Sequence, residues 1–402
     1  MKKHISMTSK MCSGCTACAS ICPTGAISFS TDVEGFKEPV VDEYICVDCG
    51  LCVKTCPAIN IKDRVSEFSP IAYALQYRDE DVRKRSASGA LFPAFANYFI
   101  NTLHGDVCGC VLDEDLMPKH IVSKQWEDVE RMQDSKYVQS DMGTCIPQIM
   151  TLLKDGKYVL FSGTSCQVNG LYSALETKHI CTDRLLTIDF FCHGVPSPLI
   201  WADYLCYVQQ KLGFKAEGYR FRNKTYGWGK GTQSFGTGYL STWKYSGTWH
   251  EVPSLVARIW PRIFFSNLCL RQYCHTCPYT KVNKPSDITM GDFWGVEDFR
   301  PGFDDHKGCS MAIVHSLKAE KIIKVLPNTE ILKVSIEEVT KRQGNAFVPS
   351  TPNPRREEFW KNYAKKQFPF ILRKYFCYSM MGRLKARIKY TLFKLHLRKY
   401  SY

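Results

Sequence analysis

No stretch of this 402-residue chain approaches the roughly 18–20 consecutive apolar residues that a membrane-spanning helix needs. Met1-Lys2-Lys3 has the charge of a signal peptide, but no apolar run follows before Cys12, which argues against secretion. Without export, disulfides explain cysteines less well than metal or cluster ligation does. No G-x-G-x-x-G follows a strand pattern, so the Rossmann fingerprint is absent. Acidic residues are scarce in one region: residues 355–402 hold 14 Lys/Arg against 2 Asp/Glu, a net +12 out of the total +14. The basicity belongs to a tail and carries no information about the body. No recognition motif accompanies it, which argues against nucleic acid as a partner. The length allows two or three domains, and the expected location is cytoplasmic.

What is present in excess is cysteine, twenty in all. Cys12, Cys15, Cys18, Cys22 and Pro23 follow the bacterial ferredoxin spacing C-x2-C-x2-C-x3-C-P, and Cys46, Cys49, Cys52, Cys56 and Pro57 repeat it. In that pattern three thiolates of one loop cap a cube, and the fourth cysteine ligates the other cluster. The expected sets are Cys12, Cys15, Cys18 and Cys56 for one 4Fe–4S cluster, and Cys46, Cys49, Cys52 and Cys22 for the second. Zinc knuckles are the alternative, but zinc pairs are usually separated by a longer finger and need no trailing proline.

Beyond residue 66 the pattern becomes strand and helix in alternation. Ala72–Tyr77 reads as a strand, Ser86-Ala87-Ser88-Gly89-Ala90 as a small-residue loop, and Leu91, Phe95 and Phe99 as one helix face. A hairpin is expected from Val107–Leu112 and Lys119–Val122, then a helix from Cys145 to Leu153. Lys157–Ser162 and Leu185–Phe191 are apolar runs broken at Gly163 and at Cys192-His193-Gly194, each followed by a helical pattern. That order predicts two neighbouring parallel strands with a right-handed crossover, whose carboxyl ends carry Cys166 and Cys192. Asp287 and Asp292 flank a further short strand, Ser246-Gly247 turns a hairpin, and Gly308–His315 reads as a strand closing the sheet.

Ser86–Ala90, Ser135–Ser140, Phe161–Gln167, Cys192–Pro198 and Ser286–Gly295, in this order, resemble the beta subunit family of coenzyme F-420 (deazaflavin) hydrogenases and dehydrogenases, here joined to a ferredoxin domain. The resemblance covers roughly residues 70–330. It implies an FAD-containing iron–sulfur protein that moves electrons between clusters and a two-electron acceptor or donor, either a deazaflavin or another small organic molecule. It also implies a third cluster held by Cys166, Cys192, Cys274 and Cys277. Cys269 departs from the pattern: with Cys274 and Cys277 it forms C-x4-C-x2-C, which leaves it as a replacement for Cys166 or Cys192. A structural zinc at Cys274 and Cys277 is the other reading of that pair.

For the flavin the expected partners are Gly163, Thr164 and Ser165 at a helix N-terminus, with Ser86, Ser88, Gly89, Lys136, Gln139 and Ser140 supplying hydroxyl, amide and charge. Lys136 is expected near the diphosphate or the reduced ring. His193 and Asp292 are the candidate catalytic residues, His193 for a proton relay or tuning of the adjacent cluster and Asp292 for ribityl hydroxyls or substrate. A satisfied turn histidine and ordinary turn chemistry are the alternatives. Trp228, Tyr239, Trp243, Tyr245 and Trp249 could line a slot for a planar ring or simply pack as core.

The expected fold class is an α+β ferredoxin domain followed by an α/β core with a mostly parallel or mixed sheet and a helical C-terminal tail. The expected divisions are residues 1–66, 67–145, 146–350 and 351–402. After Thr351-Pro352-Asn353-Pro354, the residues Met381, Leu384, Ile388, Leu392 and Leu395 recur at helical spacing among Arg383, Arg387, Lys394 and Arg398. That basic amphipathic helix suits an anionic membrane surface or an acidic partner, with a dimer arm or a simple packing helix as the alternatives. The expected partners of the whole are a redox protein (a ferredoxin, or a hydrogenase or dehydrogenase subunit) and a small-molecule substrate. Two rivals stand beside a self-sufficient enzyme: an electron-transfer subunit of a larger complex, and a membrane-associated redox module of envelope or polysaccharide assembly.

Overall fold

The computed structural model describes residues 4–8, 10–61, 67–224, 227–228 and 241–395; Tyr239, Arg398 and the Lys394 side chain lie outside that description. A two-stranded antiparallel sheet, β1 (Ile27–Thr31) and β2 (Lys37–Val41), belongs to the N-terminal unit. The body follows with β3 (Ile71–Tyr77), β4 (Asp106–Leu112), β5 (Pro118–Ser123), β6 (Val159–Ser162) and β7 (Leu185–Phe190). Next come β8 (Gly218–Arg220), β9 (Thr242–Tyr245), β10 (Thr248–His250), β11 (Ile288–Asp292), β12 (Ser310–Val314) and β13 (Thr329–Val334).

Eight of these form one mixed sheet in the order β13-β3-β12-β11-β7-β6-β4-β5. The central run β4, β6, β7, β11 is parallel, and every pair outside it is antiparallel. Val159, Leu160 and Phe161 are fully buried, as a strand covered on both faces must be. The segments 67–145 and 146–350 contribute strands to the same sheet. The strand expected to close the sheet, β12, instead sits between β3 and β11, and the outer position belongs to β13. β13 is an edge strand with a half-exposed pattern, so its apolar signal in the sequence is diluted.

The aromatic hairpin β9–β10 turns at Ser246-Gly247 as expected. Its β9 side chains, however, pack on the core rather than line a ring slot, while Trp249 on β10 is 42% exposed beneath Arg220. Trp243 is fully buried against Tyr204 and Tyr219, and Tyr245 stacks on Phe214 at 4.4 Å. Much of the expected tail is core as well: Phe359, Ile371 and Leu372 are fully buried in the same cluster as Trp201 and Trp260. Helix Met380–Lys394 presents a largely exposed apolar face.

The N-terminal unit is seated on the body by specific contacts. Thr55 Oγ1 meets Thr177 Oγ1 at 2.8 Å, Lys37 pairs with Asp141 at 2.6 Å, and Arg356 donates to the Glu34 carboxylate at 2.7 Å. Gly35 is held at positive φ, and a methyl there would lie 2.3 Å from the Leu199 side chain, so the turn admits only glycine.

Candidate redox site

The site begins with two short ferredoxin helices. Ala17–Ile21 and Leu51–Thr55 are each opened by a left-handed residue, Thr16 and Gly50, and each ended by an extended cysteine, Cys22 and Cys56. This geometry brings the fourth cysteine of each motif toward the other motif's set. Cys15 and Cys18 feel the charges of both Cys12 and Cys56, while Cys22, Cys46, Cys49 and Cys52 line one recess. Both groupings follow the pairing expected from the spacing. Burial, with the neighbouring thiols adding to it, pushes Cys15 up to about 12. Such thiols ionise when iron replaces their protons.

The core thiols gather at the carboxyl edge of the parallel strands. Cys166 follows β6, Cys192 follows β7, and Cys274 and Cys277 enter on the 3-10 turn Gln272–Thr276 and its end. All four line one recess, and their charges raise one another beyond the effect of burial, taking Cys192 to about 11 and Cys277 to about 12. A methyl on Gly194 would lie 3.2 Å from Cys274 Cβ, so the two loops are in direct contact. Cys269 is not in this group: its thiol is fully buried and faces the carbonyl of Ile263 among apolar residues. Among the described residues no three His, Cys, Asp or Glu side chains close around a single ion. Cys166, Cys192, Cys274 and Cys277 border a shared recess.

Two buried cations flank the recess, and neither stood out in the sequence. Lys284 donates to Phe190 O at 2.8 Å and to Ser165 Oγ at 3.2 Å. Arg271, fully buried, donates to Cys12 O, to Lys37 O at 2.8 Å and to Gln139 Oε1 at 3.0 Å. Tyr279 is hydrogen-bonded by Asn169 at 2.8 Å and lies in the fields of both Cys15 and Cys166. The ferredoxin thiols of Cys15 and the core thiols of Cys166 are therefore neighbours.

A larger cavity of about 360 Å³ opens beside the recess, within the usual range for small-molecule sites. Cys166, Cys192 and Thr164 line both. Most of the expected flavin residues border this cavity: Ser86, Ser88, Lys136, Gln139, Ser140, Gly163 and Thr164, together with His193 and Asp292. Gly89 and Ser165 do not. A methyl on Gly89 would lie 2.3 Å from Leu75 O and 2.4 Å from Ser310 N, so this glycine serves the β3–β12 approach. Ser165 lines the thiol recess.

Several of these groups are already engaged. The Lys136 ammonium donates to Arg131 O, Met132 O, Gln133 O and Asp134 O at 2.5–3.2 Å, capping helix Trp126–Met132, and burial pushes its pKa down. Thr164 and Gln167 form a capping box that takes up donors of the first turn of helix Ser165–Thr177. Ser86 and Ser88 donate to Val82 O at 2.9 Å and Cys309 O at 2.6 Å. Gln139 donates to Ser13 O at 3.1 Å, and Ser140 accepts from Gln167 at 3.0 Å. Both His193 nitrogens are occupied, Nε2 with Asn267 Oδ1 at 2.8 Å and Nδ1 with Ser350 Oγ at 3.1 Å, and its ring lies 5.0 Å from Phe264. Asp292 accepts from Arg222 at 2.7 Å and from Trp228 Nε1 at 3.2 Å. Asp287 is a structural clamp: it accepts from Thr187 N and Tyr172 OH at 2.9 Å and from Ser316 Oγ at 2.7 Å.

Polar capacity left open at the cavity comes from residues the sequence did not mark. Gln133 Nε2, Asp134 Oδ1 and His120 Nδ1 are buried without a partner, and all three residues line the cavity. Buried polar atoms are rarely left unpaired, so this wall fits a ligand bearing both donors and acceptors, as a flavin does. Burial pushes the Asp134 carboxyl up and the His120 imidazole down to about 4. Single polar residues in a loop give no sequence signal for this; only the fold gathers them.

Comparison with known proteins places the two units. Residues 11–60 match the 4Fe-4S dicluster domain. Residues 156–339 match the family described as the C terminus of the coenzyme F420 hydrogenase/dehydrogenase beta subunit; the earlier motifs, Ser86–Ala90 and Ser135–Ser140, lie outside that match. The coenzyme F420-dependent sulfite reductase of Methanocaldococcus jannaschii is 26% identical over 186 residues, 42% of this chain and 27% of its own length. A polyferredoxin-like protein of the same organism is 29% identical over 86 residues, 19% of this chain and 49% of its own. The chain thus spans about a quarter of the first relative and half of the second. A xenon-derivatised F420-reducing NiFe hydrogenase complex from Methanosarcina barkeri aligns with a TM-score of 0.43 at 16% identity, over 69% of this chain and 86% of that one. Residues 156–339 are thus similar to the coenzyme F420 hydrogenase/dehydrogenase beta subunit family, and residues 11–60 ahead of them to the 4Fe–4S dicluster domain.

Proposed function

We propose that this chain is an iron–sulfur flavoprotein oxidoreductase. It connects the two ferredoxin clusters, through a third cluster at Cys166, Cys192, Cys274 and Cys277, to FAD and a two-electron partner of deazaflavin type or another small organic molecule. The observation that carries this reading is that Cys166 and Cys192 border both the thiol recess and the adjoining cavity. Clusters supply single electrons and a flavin exchanges them in pairs as hydride. The chain's own residues prepare that exchange. Lys284 and Arg271 offset the negative charge of gathered thiolates. Gln133, Asp134 and His120 offer the unpaired donors and acceptors that would hold the ring or its tail. Arg222, fixed by Asp292 and lying 5.4 Å from the Trp294 ring, lines the same cavity.

The test is anaerobic purification followed by quantification of iron, sulfide and flavin. About twelve irons per chain, from three cubes of four, and one FAD support the reading. Eight irons without flavin overturn it.

A second reading is an electron-transfer subunit whose substrate site lies on a partner. Tyr44 is fully exposed and Ile45 and Val47 largely so beside Cys46 and Cys49, an apolar surface at the outer cluster suited to a redox protein. Turnover of a deazaflavin by the purified chain with a reduced ferredoxin favours the enzyme; turnover only after a partner is added favours the subunit.

A further inference from the structure

Helix Met380–Lys394 is fixed at its start by Tyr378, which is buried and packs edge-on against Tyr207 at 6.3 Å. Ala386 is the helix residue that enters the core cluster. At about 100° per residue, the side of the helix roughly opposite Ala386 carries Met380, Met381, Leu384, Ile388 and Leu395. Those five are 81%, 59%, 53%, 51% and 60% exposed. By the same spacing Arg383 and Arg387 border one side of this strip, and Lys385 and Lys389 the other. No Asp or Glu occurs from residue 359 to the end of the sequence.

An apolar strip edged on both sides by Lys and Arg, and turned away from the body, matches one kind of surface. An anionic bilayer accepts apolar side chains at the acyl boundary and basic heads, on their flexible stems, at the phosphates. A second copy is a poorer match, because a two-fold pairing would set the basic borders of the two helices against each other. We propose that helix Met380–Lys394 lies flat on an anionic lipid surface, with the Met380–Leu395 strip immersed and Arg383, Arg387, Lys385 and Lys389 at the headgroups. Among the described residues no helix is long and apolar enough to span a membrane, so attachment would be peripheral and reversible.

The test is flotation of the full, cluster-loaded chain with phosphatidylcholine vesicles and with vesicles of phosphatidylcholine and phosphatidylglycerol. Binding to the anionic vesicles alone, weakened by salt, is expected. Leu384→Ser with Ile388→Ser, and separately Lys385→Gln with Arg387→Gln, should each lower partitioning by on the order of tenfold. These positions are exposed or at the helix border, so iron content and thermal midpoint should stay at wild-type values. Three outcomes overturn the proposal: no flotation with anionic vesicles, equal flotation with pure phosphatidylcholine, or unchanged binding of the Leu384/Ile388 variant. A dimer seen by light scattering and dissolved by that same variant would assign the strip to a second copy instead.

Discussion

A methyl group placed on Gly170 would lie 2.8 Å from the Sγ of Cys15. One residue belongs to the helix that starts beside Cys166, the other to the first ferredoxin motif, so the missing side chain lets the inner ferredoxin set approach the core set. In most helices Gly→Ala is stabilising by about 1 kcal/mol. Here the sign should reverse. Gly170→Ala is expected to lower the thermal midpoint and to release up to about four irons per chain, one cube. A variant that keeps full iron and melts higher would remove the contact from the argument.

Cysteine replacement separates the proposed ligands from bystanders. Cys192→Ser should lower iron by about four per chain and leave the ferredoxin clusters in place. Cys269→Ala should keep all its iron, because that thiol faces the Ile263 carbonyl inside the apolar cluster. It should cost about 1 kcal/mol or less in stability, since little volume is lost. Iron analysis with electron paramagnetic resonance of the reduced proteins reads both. If Cys269→Ala loses a cluster and Cys192→Ser does not, the ligand assignment is reversed.

The ferredoxin part was legible because the chemistry dictates spacing: Cys12 to Cys22 and Cys46 to Cys56 can be read along the chain. The parallel β6–β7 unit was legible from apolar runs broken by glycine, and Cys166 and Cys192 followed as strand-end residues. Other features depend on distant partners. Lys136 reads as a flavin cation in sequence, yet its ammonium satisfies the helix end only three residues before it. Arg271 reads as an unremarkable residue before a C-x2-C, yet it reaches Cys12 and Lys37 more than two hundred residues away. No local pattern encodes such a contact. The open polar atoms of Gln133, Asp134 and His120 escape notice for the same reason: unpaired hydrogen-bonding capacity is a property of the folded surroundings.

Arg271 offers a test of electrostatic tuning. Its charge lies in the field of Cys166 and its guanidinium holds the Cys12 carbonyl, so it adjoins both proposed cluster positions. Removing a buried cation disfavours the more negative, reduced cluster. Arg271→Gln is expected to lower the potentials of the inner ferredoxin cluster and the core cluster by on the order of 50–100 mV, about 1–2 kcal/mol per electron. The outer cluster, proposed at the recess lined by Cys22, Cys46, Cys49 and Cys52, should hardly move. A redox titration followed by paramagnetic resonance resolves the three. Arg271→Lys serves as the control, keeping the charge while losing the fork, so potentials near wild type with weaker domain seating are expected.

His315 gives the last prediction, on pH. It is buried beside β11, its Nε2 lies 2.9 Å from Thr289 Oγ1, and that hydroxyl donates to Asp189 at 2.7 Å. The hydroxyl proton being committed to Asp189, the imidazole must be the donor in the other bond, which fixes Nε2–H. Burial pushes the imidazole pKa down from 6.5 to about 4. Between those values the unfolded chain binds a proton that the folded chain refuses, so stability should fall as pH drops from 6.5 towards 4. The contribution is on the order of 2–3 kcal/mol at its largest. His120, also pushed down to about 4 by burial, adds a slope of the same sign. His315→Gln keeps an Nε-type donor without the titration. Its denaturation free energy should therefore depend less on pH than wild type over this window, whereas acid loss of the clusters would affect both proteins alike. Equal slopes in the two would show that His315 is charged in the fold and that its environment is wetter than the packing around β11 implies.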